Sequence, residues 1–115
     1  MTLRVGETGK TWYVSSDGFD LSSFTELTLT FIKPGGTEVT KTQTAGEVAL
    51  GGVNVTVTGL GALLANKYVT YEVESGLLDT AGAWKVYLTY TNTATTPDDV
   101  FIGSCASETI LAVCG

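Results

Sequence analysis

Apolar and polar residues alternate with a period of two along most of this chain, the pattern of half-buried β-strand. Leu27, Leu29 and Phe31 alternate with Thr28, Thr30 and Ile32, and Glu38, Thr40 and Thr42 alternate with Val39 and Lys41. Lys33-Pro34-Gly35-Gly36-Thr37 lies between them and is a turn by composition. The pattern therefore predicts a β-hairpin over residues 26–42. Val53, Val55 and Val57 alternate with Asn54, Thr56 and Thr58 as a half-buried strand. Val69, Tyr71 and Val73 alternate with Tyr68, Thr70 and Glu72, and Trp84, Val86, Leu88 and Tyr90 with Lys85, Tyr87 and Thr89. A last strand is expected over residues 109–114, and short ones around Leu3 and Val5 and around Trp12 and Val14.

These runs predict an all-β fold, an immunoglobulin-like antiparallel β-sandwich of about seven to eight strands spaced roughly ten residues apart. Only residues 60–66 (LGALLAN) have room for a helix, of one or two turns. Residues 93–99 are the longest polar stretch and predict an exposed loop. No internal repeat and no linker divides the chain, so a single domain over residues 1–115 is expected.

Composition sharpens this picture. Charged residues are 16% of the chain, against roughly 25% in an average soluble domain. Thr, Val and Tyr favour pleated backbone. The mean hydropathy of +0.24 is high for a free monomer of this size, which suggests that partners cover part of the surface. The net charge is −6, and the six basic residues (Arg4, Lys10, Lys33, Lys41, Lys67 and Lys85) form no run. Nucleic acid and anionic membrane are poor partners for such a chain, because phosphates need clustered Lys and Arg. No apolar stretch approaches the roughly 20 residues of a spanning helix. Met1 to Ser16 carries no basic stretch followed by an apolar one, so the expectation is a protein kept in the cytosol or packed into a particle assembled there.

Candidate chemistry is sparse. The chain has no His, so the usual base of a nucleophilic triad is missing. Ser104-Cys105 falls in a predicted strand region with no basic neighbour to lower a thiol pKa. Cys105 and Cys114 are nine residues apart. On a straight strand they stand roughly 30 Å apart, against the roughly 7 Å a disulfide spans. They read as two free thiols. Asp17, Asp20, Asp79, Asp98 and Asp99 are loop carboxylates too thinly spaced for a calcium loop, and no Cys spacing suits a metal. Gly9-Lys10-Thr11 lacks the upstream glycine spacing and following helix of a phosphate loop, and reads as a turn. No enzyme, cofactor or metal is expected. Trp84 reads as a core residue, since a sugar-stacking role needs an exposed ring.

Strand parity turns Tyr87, Tyr68 and Ile32 away from the core side and makes them candidate interface residues, tyrosine being enriched at interfaces. The two terminal strands, residues 2–5 and 109–114, are expected to add open edges that a partner strand can complete where they lie at sheet margins.

The order of motifs resembles a bacteriophage family. It comprises Gly6-x-Thr8-Gly9, Asp20-Leu21-Ser22, Phe31-Ile32-Lys33-Pro34-Gly35-Gly36-Thr37 and Asp79-x-Ala81-Gly82-x-Trp84. Together these are similar to the N-terminal β-sandwich of phage baseplate upper proteins, over roughly residues 3–92. The resemblance implies a virion structural protein, assembled in host cytoplasm, with other virion proteins and copies of itself as partners. It transfers no catalytic residue. In that family a longer region follows and carries receptor-binding proteins, whereas this chain ends at Gly115. The expectation is an adaptor joining tail, baseplate, neck or fibre components. The alternative is a carbohydrate- or other ligand-binding β-sandwich, which exposed aromatics on a concave face would favour.

Overall fold

The computed structural model describes residues 2–94 and 96–113. Eleven strands run through the described residues. They are β1 (Leu3–Arg4), β2 (Thr11–Ser15), β3 (Glu26–Ile32), β4 (Glu38–Thr42), β5 (Val48–Leu50), β6 (Val55–Val57), β7 (Gly61–Leu63), β8 (Tyr68–Glu72), β9 (Gly82–Asn92), β10 (Asp99–Ile102) and β11 (Ala106–Leu111). No helix forms among these residues. The fold is all-β, with more and shorter strands than the pattern predicts.

The hairpin over residues 26–42 forms as β3 and β4, with Ile32 opposite Glu38 and Lys33 closing the turn onto Thr37. β9 is the spine of a six-stranded sheet ordered β1-β11-β9-β3-β4, with β10 also paired to β9. Its partner on one side is β3 throughout. On the other side it is shared, β11 taking residues 82–86 and β10 taking residues 89–92. β1 runs parallel to β11, so the sheet is mixed and the purely antiparallel expectation is corrected. A second sheet is ordered β2-β8-β5.

The core lies between the two sheets. Leu27, Leu29 and Phe31 of β3 and Trp84, Val86, Leu88 and Tyr90 of β9 face Trp12 and Val14 of β2, Val69 and Tyr71 of β8 and Val48 of β5. The Trp12 ring meets Phe31 edge-on at 4.9 Å between centroids, and Phe31 lies 5.2 Å from Tyr71. The period-two pattern of β3 and β9 thus marks the residues that carry the core.

Two local expectations fail for backbone reasons. Residues 60–66 form no helical turn, because Gly59 and Gly61 adopt φ of +88° and +79°, which breaks helical geometry on both sides of Leu60. That stretch folds back as β7 against β6 in a separate two-stranded ribbon. The strand expected over residues 53–58 is limited to Val55–Val57, with Val53 exposed.

Candidate docking surface

Residues directly opposite each other in antiparallel strands share a face. Thr40, Thr30 and Tyr87 form one cross-strand row, and Glu38, Ile32 and Lys85 the next. Tyr87 and Ile32 therefore stand on the outer face of the large sheet, as parity predicts. Both are half-buried, because each sits on a strand flanked on both sides.

Tyr68 is corrected. It pairs with Ser15 and has the outward parity of Thr70 and Glu72, yet it is only 3% exposed. The chain between β5 and β6 folds over it. The Tyr68 hydroxyl donates to the carbonyl oxygen of Val53 at 2.8 Å. The ring lies so close to Gly51 that a Cβ there would stand 2.1 Å from Tyr68 Cζ. Tyr68 is the inner layer of a local lid and no part of a docking surface.

Of the two terminal strands, β1 lies at the sheet margin, and β11 is covered by β1 only at Ile110 and Leu111. A further margin strand is β10, and all four of its residues are exposed. Three of them are apolar: Val100, Phe101 and Ile102, the last 72% exposed. The signal was present in the sequence as three successive strand formers between Asp98-Asp99 and Gly103. A run without alternation is invisible to a search for period two.

β10 and β11 are one interrupted strand. Ile102 pairs with Thr89 and Ala106 with Val86, so residues 103–105 face only residues 87 and 88. The extra residue is a β-bulge opposite Tyr87. It places Ser104 and Cys105 between strands rather than in one. Cys105 is free and exposed. It is expected to react fully with a thiol reagent in the native chain without denaturant, and a thiol that labels only after unfolding would contradict its placement. Cys114 lies outside the described residues.

Behind β10 sits an aromatic cluster. Phe101 stacks on Tyr90 with rings 9° from parallel and centroids 5.6 Å apart. Phe24 meets both edge-on, and Phe19, itself exposed, lies 5.9 Å from Tyr90. Burial raises the Tyr90 hydroxyl above its ordinary pKa, and the negative charge of Asp17 adds to the effect. Asp98 and Asp99 stand at the leading end of β10. This corner of the molecule is apolar and aromatic with carboxylates at its margin.

The hairpin-turn motif and the Asp79-to-Trp84 motif meet at the opposite end of β3. Lys33 from the hairpin turn reaches Asp79 at 2.9 Å and lies 5.5 Å from the centre of the Trp84 ring. The Lys33 ammonium, followed by the Thr80 hydroxyl, holds Asp79 below the usual carboxylate pKa. Both motifs therefore have a structural use, tying the β3–β4 turn to the entry of β9. Lys41 of β4, at the margin of the large sheet, reaches across to Glu47 at 3.2 Å and Glu74 at 3.3 Å, beside a groove of about 530 Å³ lined by Ala49, Thr70 and Glu72 of the small sheet. No cluster of three metal-ligating side chains occurs among the described residues.

Glu108 pairs with Trp84 across β11 and β9, which puts it on the core-facing side of the sheet. Burial raises its pKa. The folded chain therefore holds that proton more tightly than the unfolded chain does. The favourable contribution is complete below the ordinary glutamate pKa and is lost as pH rises through the raised value. Glu108→Gln is expected to raise the melting temperature at about pH 8 and to leave it unchanged near about pH 3. An equal shift at both pH values would show that burial of the charge is not the cause.

Fold and surface together define an all-β protein whose distinguishing feature is an exposed apolar sheet edge. No family model, curated protein or solved structure matches this chain.

Proposed function

We propose that this chain is a structural docking module rather than an enzyme, an immunoglobulin-like sandwich that joins components of a bacteriophage virion at the tail, baseplate, neck or fibre attachment. The observation that carries a docking role is the exposed apolar strand β10 with Phe19 beside it. A chain with so few charges gains little by leaving such a patch in water. The net charge of −6 with scattered basic residues favours protein partners over nucleic acid or membrane. Two sheets enclosing one core, with Trp84 fully buried in it, support the immunoglobulin-like reading. The virion setting rests on the resemblance of the motif order to phage baseplate upper proteins.

The test is quantitative mass spectrometry of purified particles of the phage that encodes the chain. The module is expected at a fixed, multiple copy number per particle. Its absence from intact particles would overturn the virion reading. A glycan-binding role would have to use rings such as Phe19, Phe101 or Tyr87, because Trp12 and Trp84 are buried, and a glycan array is expected to return no hit.

A further inference from the structure

We infer that the open edge of β10 is a strand-acceptor site whose occupant is an extended segment of another protein, apolar at alternate positions and basic at the end that lies against Asp98 and Asp99. The inference rests on the docking reading above and supplies its mode and the chemistry of its partner.

The backbone geometry comes first. The Gly103 N–H donates to the Leu88 carbonyl oxygen at 2.8 Å. Along a strand, successive residues turn their N–H and C=O groups to opposite sides. Phe101 and Asp99 therefore turn theirs toward β9, and Val100 and Ile102 turn theirs toward the margin. The other neighbour of β9 agrees, since the Thr25 N–H donates to the Thr91 carbonyl on the β3 side. Thr91 and Val100 are thus a non-hydrogen-bonded pair. The margin offers the donors and acceptors of Val100 and Ile102 at strand spacing. Where β1 pairs with Ile110 and Leu111, the same margin is already closed.

The side chains favour an occupant over water. Val100 and Ile102 lie on the outer face, opposite Thr91 and Thr89, while Phe101 lies on the inner face against Tyr90 and Phe24. A strand apolar on both faces is the composition of an interior strand, yet β10 is marginal. Edges protected against pairing carry lysines or inward-pointing charges; in β10 such a charge is confined to its first residue, Asp99, and Val100-Phe101-Ile102 carries none.

Charge then selects the occupant. Asp98 and Asp99 stand together at the leading end of the strand, Asp17 acts on Tyr90, and the chain is −6 overall. A second copy added antiparallel lays its own Asp98 and Asp99 at the far end of β10, supplies no cation to the carboxylates at this end, and brings a second net charge of −6. A segment with lysine or arginine at one end complements the negative charge at this end of β10, and antiparallel addition puts its C-terminal end there.

The test uses the whole chain and a short acetylated peptide of alternating valine and threonine ending in two lysines. Amide hydrogen exchange is followed by NMR. In the isolated chain the Val100 and Ile102 amides are expected to exchange freely, and peptide at saturation is expected to slow both at least about tenfold. The Phe101 amide, already paired to β9, is expected to change little. Replacing the two lysines by glutamates, or N-methylating alternate peptide residues, is expected to weaken binding about tenfold. No protection at Val100 and Ile102, or equal binding of the lysine and glutamate peptides, would overturn the inference. So would protection without peptide that rises with protein concentration together with a dimer mass, which would assign the edge to a second copy. Edge protection by the peptide in a chain that purified particles lack would remove the virion reading and leave this one standing. Incorporation into particles without edge protection would do the reverse.

Discussion

Trp84→Ala is expected to leave the chain unfolded or close to it at physiological temperature. Trp84 is fully buried, lies 6.2 Å from the Trp12 ring, and stands near the start of β9, paired with Glu108 of β11. Truncating a buried aromatic costs about 3–5 kcal/mol, in lost transfer energy and in the cavity that remains. A domain of this size is stable by only about 5–15 kcal/mol, so one substitution removes a large share. The indole also holds the chain locally, its Nε1–H donating to the Thr80 carbonyl oxygen at 2.8 Å. Lys33 over its face would lose both the ring and its fixed position beside Asp79. Trp84→Phe keeps part of the volume and loses the hydrogen bond, so its cost should be intermediate. Urea unfolding followed by far-ultraviolet circular dichroism measures both. A soluble Trp84→Ala chain with an unchanged midpoint would sink the assignment.

Gly51→Ala is expected to cost about 2–4 kcal/mol, a large effect for a single methyl group. At an unconstrained site, Gly→Ala stabilises by about 0.4–1 kcal/mol through the unfolded state. The backbone at Gly51 is not left-handed, so alanine is allowed there by conformation. The cost comes from the Tyr68 ring, whose Cζ, Cε2 and Cε1 atoms would lie 2.1, 2.2 and 2.5 Å from the new Cβ. That ring is buried and held by its hydroxyl on Val53, so it cannot yield without opening the lid over the small sheet. A double-mutant cycle separates this clash from any other cause. In a Tyr68→Ala background, Gly51→Ala is expected to cost less than about 0.5 kcal/mol, because the steric partner is gone. Costs that simply add would show that the two residues do not oppose each other.

The candidate surface was legible only in part. Tyr87 and Ile32 stand on the outer face because parity along a strand is a local property. Tyr68 has the same parity and is buried, since the cover comes from a chain segment fifteen residues earlier. The apolar edge at β10 was missed because Val100-Phe101-Ile102 does not alternate. Whether such a run lies inside a sheet or at its margin depends on which strand takes the other side of β9. Here the bulge at residues 103–105 and the docking of β1 against Ile110 decide it.

By itself the sequence determined the all-β character, the β3–β4 hairpin and the core faces of β3, β8 and β9. Each follows from period-two burial and turn chemistry within a few residues. Tertiary structure alone decided the sheet order, the parallel β1–β11 pair, the lid over Tyr68 and the exposure of β10. These depend on contacts between residues far apart in the chain. Side-chain polarity says which face of a strand is turned inward, but the neighbour at its edge is chosen by backbone hydrogen bonds that every residue type can make.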